Sequence, residues 1–433
     1  MPVDHTHDPK RRSWVAGSNQ PHCDFPIQNL PFGIFSTAGS APRAGIAISD
    51  QILDLAVAEG SGMVPAPGRG HVFDQPDLNA FMALGPSAWH QTRVAVSNLL
   101  EEGGTPQLRD NLTLRKRALV PMSAATMHLP IFVRSFTDFY ASREHATNVG
   151  TLFRGPENAL PPNWLHIPIG YNGRASTVVV SGTDVRRPLG QMLPAGRDTP
   201  VFGPCQRLDF ELELGAIVGV PSTFGQPITS AEAYEMIFGY VLLNDWSARD
   251  IQTWEYQPLG PFQSKAFATS ISPWIVTRDA LEPYRVATPQ RAKPLLPYLG
   301  EAAPNNLDIQ LEVSLKPAGG QQATVISRTN ARHLYYSPAQ YLTHHAVGDC
   351  AMCTGDLLGS GTISGPTRDS LGALVEMTRG GREPLALGPG VRRAFLEDGD
   401  TLTLAGWCEG QGHRIGFGPC TGTILPSPPE RMW

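Results

Sequence analysis

The chain is short of charge, of cysteine and of long apolar runs. No stretch of about eighteen uninterrupted apolar residues occurs among its 433 residues, so no membrane-spanning helix is expected. The polar opening Met1–Ser13 has no apolar core of the kind a secretory signal needs, which leads us to expect a cytoplasmic protein. Charged residues make up only 17% of the chain, with 34 basic against 39 acidic for a net charge of −5, while 41% is hydrophobic. That balance fits neither a disordered polyelectrolyte nor a basic nucleic-acid binder, and the expected partner is a small molecule or another protein. The six cysteines, Cys23, Cys205, Cys350, Cys353, Cys408 and Cys420, are scattered, which suits reduced thiols rather than a disulfide framework. Cys350-Ala-Met-Cys353 follows His344-His345, but no second CxxC follows and no thioredoxin-like pattern precedes it. It reads as a pair of buried structural thiols. The sequon Asn111-Leu-Thr113 has no meaning in a cytoplasmic chain. GxSxG, HExxH and Walker sequences are all missing, which argues against serine hydrolases, zincins and nucleotide hydrolases.

What the chain does have is glycine and proline. Its 44 glycines and 40 prolines are well above the average of about 12% for the two together, and they point to many turns and short strands. A prior of about 150 residues per domain gives three domains, or two if one is a large β-rich body. Gly45–Leu55 reads as a hairpin. Helical spacing then begins: Asp77 as a cap before Leu78, Phe81 and Met82, and a second stretch through Trp89, Val94, Val96, Leu99 and Leu100 up to Gly103-Gly104. We place a boundary near residue 125, giving an extension over 1–22, a small domain over 23–125 and a larger one over 126–433. The larger one is read as mainly β (α+β), with strands at Thr177–Val180, Phe210–Val220, Leu307–Leu315, Leu357–Ile363 and Thr401–Ala405. Thr229-Ser-Ala-Glu232 is a capping box before Tyr234, Ile237 and Phe238.

Three stretches carry chemistry. In Asp209-Phe-Glu-Leu-Glu213 a strand's period of two places Asp209, Glu211 and Glu213 on one face. Such oxygen donors suit a hard divalent cation, although a wet acidic sheet face produces the same alternation. A helical reading of Asp138–Gly150 puts Asp138, Ser142 and His145 on one stripe with Gly150 as the stop, and makes His145 a candidate general base or an ordinary hydrogen-bonded histidine. In Leu242–Tyr256 an apolar strand ends at Asp245 and Ser247 can cap a helix projecting Arg249, Gln252 and Tyr256, donors for a carboxylate or an oxyanion; a solvated helix face is the bland alternative. Lys265 follows among small residues, and Gly359–Pro366 is glycine-rich enough for a binding loop.

Together these stretches resemble the fumarylacetoacetase family (fumarylacetoacetate hydrolases) from Asp24 to about Leu425. The resemblance is carried by Asp138–Tyr140, Arg143–Gly150, Glu157–Leu160, Pro162–His166, Gly173–Ser176, Asn244–Asp250, Gly361–Pro366 and Arg414–Gly418. It implies an N-terminal SH3-like barrel domain, a C-terminal mixed β-roll of the family's own type and a homodimer. The implied activity is hydrolysis of 4-fumarylacetoacetate to fumarate and acetoacetate, the last step of tyrosine and phenylalanine catabolism. By the same resemblance Asp138, Glu211, Glu213 and Asp245 hold a metal, Ca²⁺ and/or Mg²⁺ with Mn²⁺ possible, and Lys265 and Thr269 belong to a magnesium-type surround. Asp209 matches no ligand. His145 is implied as the base, oriented by Glu376, with Arg249, Gln252 and Lys265 assisting the chemistry. Tyr140, Arg154, Tyr171, Arg249, Gln252, Tyr256 and Thr362 are implied to contact the diketo acid. Ser264 and Ala268 stand where the family usually has glycine and are expected to reshape the pocket floor slightly. Residues 1–22 have no counterpart there. A related acylpyruvate hydrolase or decarboxylase-isomerase on the same fold is the alternative, and a scaffold that has lost catalysis is a second; the retained acids and His145 speak against the latter.

Overall fold

The computed structural model describes residues 2–65 and 70–429. The outermost residues of the expected terminal units, Met1 and 430–433, and 66–69 within the small one, lie outside the described residues. The small unit is a five-stranded antiparallel sheet in the order Leu119–Pro121, Gln51–Asp54, Arg43–Ile48, Phe32–Ser36, Thr126–His128, as expected of an SH3-like barrel. The expected hairpin is its centre. The helix Pro86–Leu100 ends before Gly103, and its Trp89, Val96, Leu99 and Leu100 are buried. Asp77 does not cap the preceding helix from the N-cap position, which Leu78 occupies; its carboxylate accepts from the Asn79 N–H instead.

The larger unit stacks two sheets. One has the order Gly170–Asn172, Phe136–Phe139, Leu357–Gly359, Leu212–Val218, Ile237–Asp245, Thr269–Ile271, Val178–Val180, with Val276–Thr277 pairing to the long central strand. The other is built on Gln310–Lys316 and Thr401–Glu409, whose strict burial alternation turns Leu311, Val313, Leu315, Leu402 and Leu404 inward. They meet Leu212, Leu214, Tyr240, Leu242 and Leu358 of the first sheet in one core. The opposite face of the first sheet presents Ile217, Val241, Leu243, Ile271 and Leu357, and these pack with the small unit's Ile34, Phe81 and Trp89 in a second core. A strand buried on both sides cannot alternate apolar with polar, which is why Ile237 and Phe238 take on helical spacing in sequence. The helix begun by the Thr229 capping box stops at Met236, so Ile237 and Phe238 belong to the strand and not to the helix.

The stretch 4–22, part of the extension 1–22 read in sequence with no assigned role, is packed against both units. His7 Nε2 bonds the Asp279 carbonyl at 2.7 Å, and Arg93 Nε donates to Thr6 Oγ1 at 3.0 Å. The thiols are all free, but the CxxC pair is not buried as expected: Cys350 is exposed and Cys353 half-buried. His344 and His345 bond Tyr298 and Thr137.

Candidate active site

The sheet face shared with the small unit changes character along its length. Strand parity puts Glu213 on the side of Ile217, Asp245 on that of Val241 and Leu243, Asp138 on that of Phe136, and Thr269 on that of Ile271. Past the edge of the apolar cover the same rows continue as carboxylates. Asp138, Glu211, Glu213 and Asp245, all buried, each present an oxygen, and the four oxygens lie within 4.8 Å of one another. Asp138 is therefore a strand residue, which corrects the helical stripe read for it. The helix starts at Arg143, with Ser142 as its N-cap, and runs through Gly150 to Arg154. Gly150 is not a stop but a close-packing site, since a Cβ there would lie 1.8 Å from the Ala159 carbonyl oxygen.

Two glycines make the cluster possible. A Cβ on Gly359 would stand 2.5 Å from Asp138 Oδ1 and 2.9 Å from Glu213 Oε2. Gly361, at φ +73°, turns its N–H to both carboxylates, at 3.1 and 3.0 Å. The glycine-rich loop is thus part of the site.

The electrostatics split the cluster into two halves. Burial, and then the Asp245 carboxylate, push Asp138 up to about 8. Burial and Asp138 hold Glu213 well above its ordinary range. Burial acts the same way on Glu211, but Lys265 and Arg249 overcome it and bring that carboxyl down to about 2. Lys265 Nζ pairs with Glu211 and, at 2.9 Å, with Asp245 Oδ2; Thr269 and Tyr171 donate to the two Asp245 oxygens at 2.7 and 2.8 Å. Glu213 Oε1, by contrast, is buried with no hydrogen-bond partner among the described residues. An orphaned carboxylate oxygen beside three further carboxylates is a donor set for a hard divalent cation, so the residues fit the implied metal.

His145 lies beside this cluster. Its Nδ1 is 2.6 Å from Glu376 Oε2, and Glu376 is held in turn by Asn148 Nδ2 at 2.9 Å and by Ser364 Oγ. With Nδ1 committed, Nε2 is the ring nitrogen left for proton transfer. The Tyr140 ring meets the imidazole edge-on with centroids 5.4 Å apart. Arg249 heads the helix Arg249–Glu255, and its guanidinium reaches Asp209, Glu211 and Gln252. Ser247 does not cap this helix; it lies in a short strand, and its hydroxyl donates to the Asp245 carbonyl.

A cavity of about 490 Å³ joins these groups. Asp138, Tyr140, His145, Arg154, Tyr171, Glu211, Arg249, Gln252, Tyr256, Lys265 and Thr362 all line it, while Glu213, Asp245, Thr269 and Glu376 sit behind its wall. Arg154 donates to the Asn158 and Ala159 carbonyls, and the Thr362 hydroxyl is buried without a partner among the described residues. Ser264, buried, donates to Glu255, and Ala268 is buried as well. Sequence reasoning gave Asn148 no role, and it read Gly361 and Ser364 only as parts of the loop Gly359–Pro366. Asn148 was within reach of it, since it follows His145 by three residues on the same helix face.

Comparison with known proteins agrees with this geometry. Residues 28–130 match the family described as Fumarylacetoacetase N-terminal, and residues 134–425 match Fumarylacetoacetate (FAA) hydrolase C-terminal. The fumarylacetoacetase of Homo sapiens is 52% identical over 406 residues, covering 93% of this chain and 97% of that protein. That of Arabidopsis thaliana is 50% identical over 421 residues, covering 96% and 99%. Among solved structures, the fumarylacetoacetate hydrolase from psychrophilic Exiguobacterium antarcticum shares the fold at a TM-score of 0.51 and 16% identity, covering 92% of this chain and 99% of its own. With both halves matched in order and half of the residues identical to full-length relatives, the chain belongs to the fumarylacetoacetate hydrolase family.

Proposed function

We propose that the chain hydrolyses the carbon–carbon bond of 4-fumarylacetoacetate, releasing fumarate and acetoacetate, as the closing step of tyrosine and phenylalanine breakdown. The observation that carries this reading is a His–Glu pair and a four-carboxylate cluster opening on one cavity. Asp138, Glu211, Glu213 and Asp245 would hold a divalent cation, Ca²⁺, Mg²⁺ or Mn²⁺, whose charge, when bound, polarises the β-dicarbonyl and steadies the enolate left by bond cleavage.

The residues supply the rest. His145 takes a proton from water at Nε2, and Glu376 stabilises the imidazolium through Nδ1. The water oxygen bonds to the fumaryl carbonyl carbon, the C–C bond breaks, and its electron pair stays with the acetoacetate fragment as an enolate, which recovers the proton from His145. Arg249, Gln252 and Lys265 offer positive charge or hydrogen bonds to the oxygens on which negative charge develops. Arg154, Tyr140, Tyr171, Tyr256 and Thr362 orient the substrate's carboxylate end. Glu255 holds Ser264 and the N–H groups of Phe262 and Gln263, which sets the short helix bearing Lys265.

The division into 1–22, 23–125 and 126–433, with the second limit moved a few residues on so that the strand Thr126–His128 stays in the small unit's sheet, a homodimeric assembly and a cytoplasmic setting are part of the same proposal, supported by the family resemblance. Among the described residues no helix is long and apolar enough to cross a membrane. The acylpyruvate and decarboxylase-isomerase alternatives gain no support from the closely similar full-length relatives. The test is to follow loss of the substrate's chromophore in protein stripped by chelator, then after Mg²⁺, Ca²⁺ or Mn²⁺ is restored separately. Cleavage should vanish and return; cleavage that survives full metal removal overturns the proposal.

A further inference from the structure

Asp209 began as one acid of an alternating strand and turned out to be no part of the carboxylate cluster. The strand breaks between Asp209 and Leu212, and the side chain points elsewhere, fully buried. Its two oxygens accept four hydrogen bonds. Oδ1 takes the N–H groups of Phe210 and Leu374, both at 2.8 Å. Oδ2 takes Arg249 Nε at 2.9 Å and the Val375 N–H at 3.0 Å. No acceptor site of the carboxylate is left over.

The two ends of this arrangement matter. Leu374 and Val375 open the four-residue helix Leu374–Met377, whose own N-cap residue, Ala373, offers no side-chain bond. The residue after Val375 is Glu376, which holds His145. Arg249, on the other side, is fixed at Nε by Asp209, leaving its Nη atoms to Glu211 and Gln252. Resting on the hydrolase reading above, we propose that Asp209 is a positioning residue: one buried carboxylate sets both the orientation of Arg249 and the placement of the Glu376 helix, and so registers the oxyanion-facing cation against the proton-transfer pair.

A buried ion pair is weak grounds for a stability role, because desolvation offsets most of its attraction. Geometry is what four directed bonds to two separate elements supply, and misplacement of reacting groups by about 1 Å costs on the order of 10²-fold in rate. The Asp209→Asn substitution keeps the volume but replaces one acceptor oxygen with a donor. Whichever way the amide faces, an N–H now meets an N–H.

In the metal-loaded full chain, Asp209→Asn is expected to lower kcat by about 10²-fold while KM and the Mg²⁺ affinity move less than about threefold. Adding it to Arg249→Met or to Glu376→Gln should cost less than the product of the single effects, because the residues act as a unit. The ring ¹⁵N resonances of His145 should shift in Asp209→Asn, a change that loss of a remote ion pair does not produce. Unchanged kcat with unchanged His145 resonances overturns the proposal, as do fully multiplicative double variants. If Asp209→Asn does not fold, Asp209→Ser takes its place under the same criteria, and failure of both to fold assigns the residue to folding and overturns the proposal. Should the parent chain not cleave fumarylacetoacetate at all, it is the hydrolase reading that fails, and the His145 resonances still decide the placement.

Discussion

His145 and Glu376 are 231 residues apart in sequence, and yet His145 Nδ1 rests 2.6 Å from Glu376 Oε2 inside a shell that Asn148 and Ser364 complete. A carboxylate so held fixes the imidazole tautomer and steadies its charged form. His145→Ala should abolish turnover and leave the metal bound. Glu376→Gln, which preserves the shape and removes the charge, should lower kcat by about 10²–10⁴-fold, the usual contribution of positioned acid–base catalysis. Steady-state kinetics beside a Mn²⁺ titration check both, and near-normal turnover in either variant would contradict the assigned roles.

Gly359 tests the carboxylate cluster without replacing a ligand. Alanine there would set its Cβ 2.5 Å from Asp138 Oδ1 and 2.9 Å from Glu213 Oε2. Divalent-ion affinity should fall by about 10–100-fold, as for other changes that disturb the groups orienting a ligand. Calorimetric titration measures this, and an unaltered affinity would mean that the cation binds elsewhere.

Proton linkage follows from the same cluster. Asp138 keeps its proton up to a pH of about 8 in the metal-free chain, against an ordinary 3.8, so a cation arriving below that pH must displace the proton. Metal affinity should therefore climb as pH rises toward about 8, and Glu213, also held above its ordinary range, adds to the climb. The sign for folding is the reverse. An acid whose folded value is raised loses stabilisation as pH rises from 3.8 toward 8, so the metal-free protein should weaken over that window and recover when metal is added. Titrations in buffers of different ionisation enthalpy would reveal the released protons; their absence across this range contradicts the linkage.

Phe238 joins the two units. Its ring lies 5.7 Å from Phe32, 5.9 Å from Phe81 and 5.1 Å from Trp89, centroid to centroid. Phe238→Ala should cost about 3–5 kcal/mol of stability, the range for an emptied aromatic site. Denaturant unfolding gives the number, and a loss below about 1 kcal/mol would show that the interface collapses around the gap.

The fold class, the small domain's hairpin and the Thr229 capping box were legible because each is a local pattern. The strand Ile237–Asp245 was only half legible, since burial on both faces erases alternation and left Ile237 and Phe238 looking helical. Asp138 was misplaced for a related reason: its strand is four residues long, too short to show a period before the real helix at Arg143 begins. Glu376 had no local signal at all. It stands in a four-residue helix capped from far away in the chain, and only the family resemblance pointed to it. Asp209 looked like a ligand because spacing reports a face and cannot report that the strand breaks directly after Asp209.

The sheet rows that end in Glu213 and Asp245 begin under the small domain with Ile217 and Val241. Detaching that domain would strip the hydrocarbon from one end of the same strands whose other end gathers the carboxylates. A cation that binds only the folded cluster would add RT ln(1 + [ion]/Kd) to the stability of the folded chain. A lesion among Ile34, Phe81 or Trp89 would disturb the apolar end of the strands that carry Glu213 and Asp245, with every residue of the cavity unaltered.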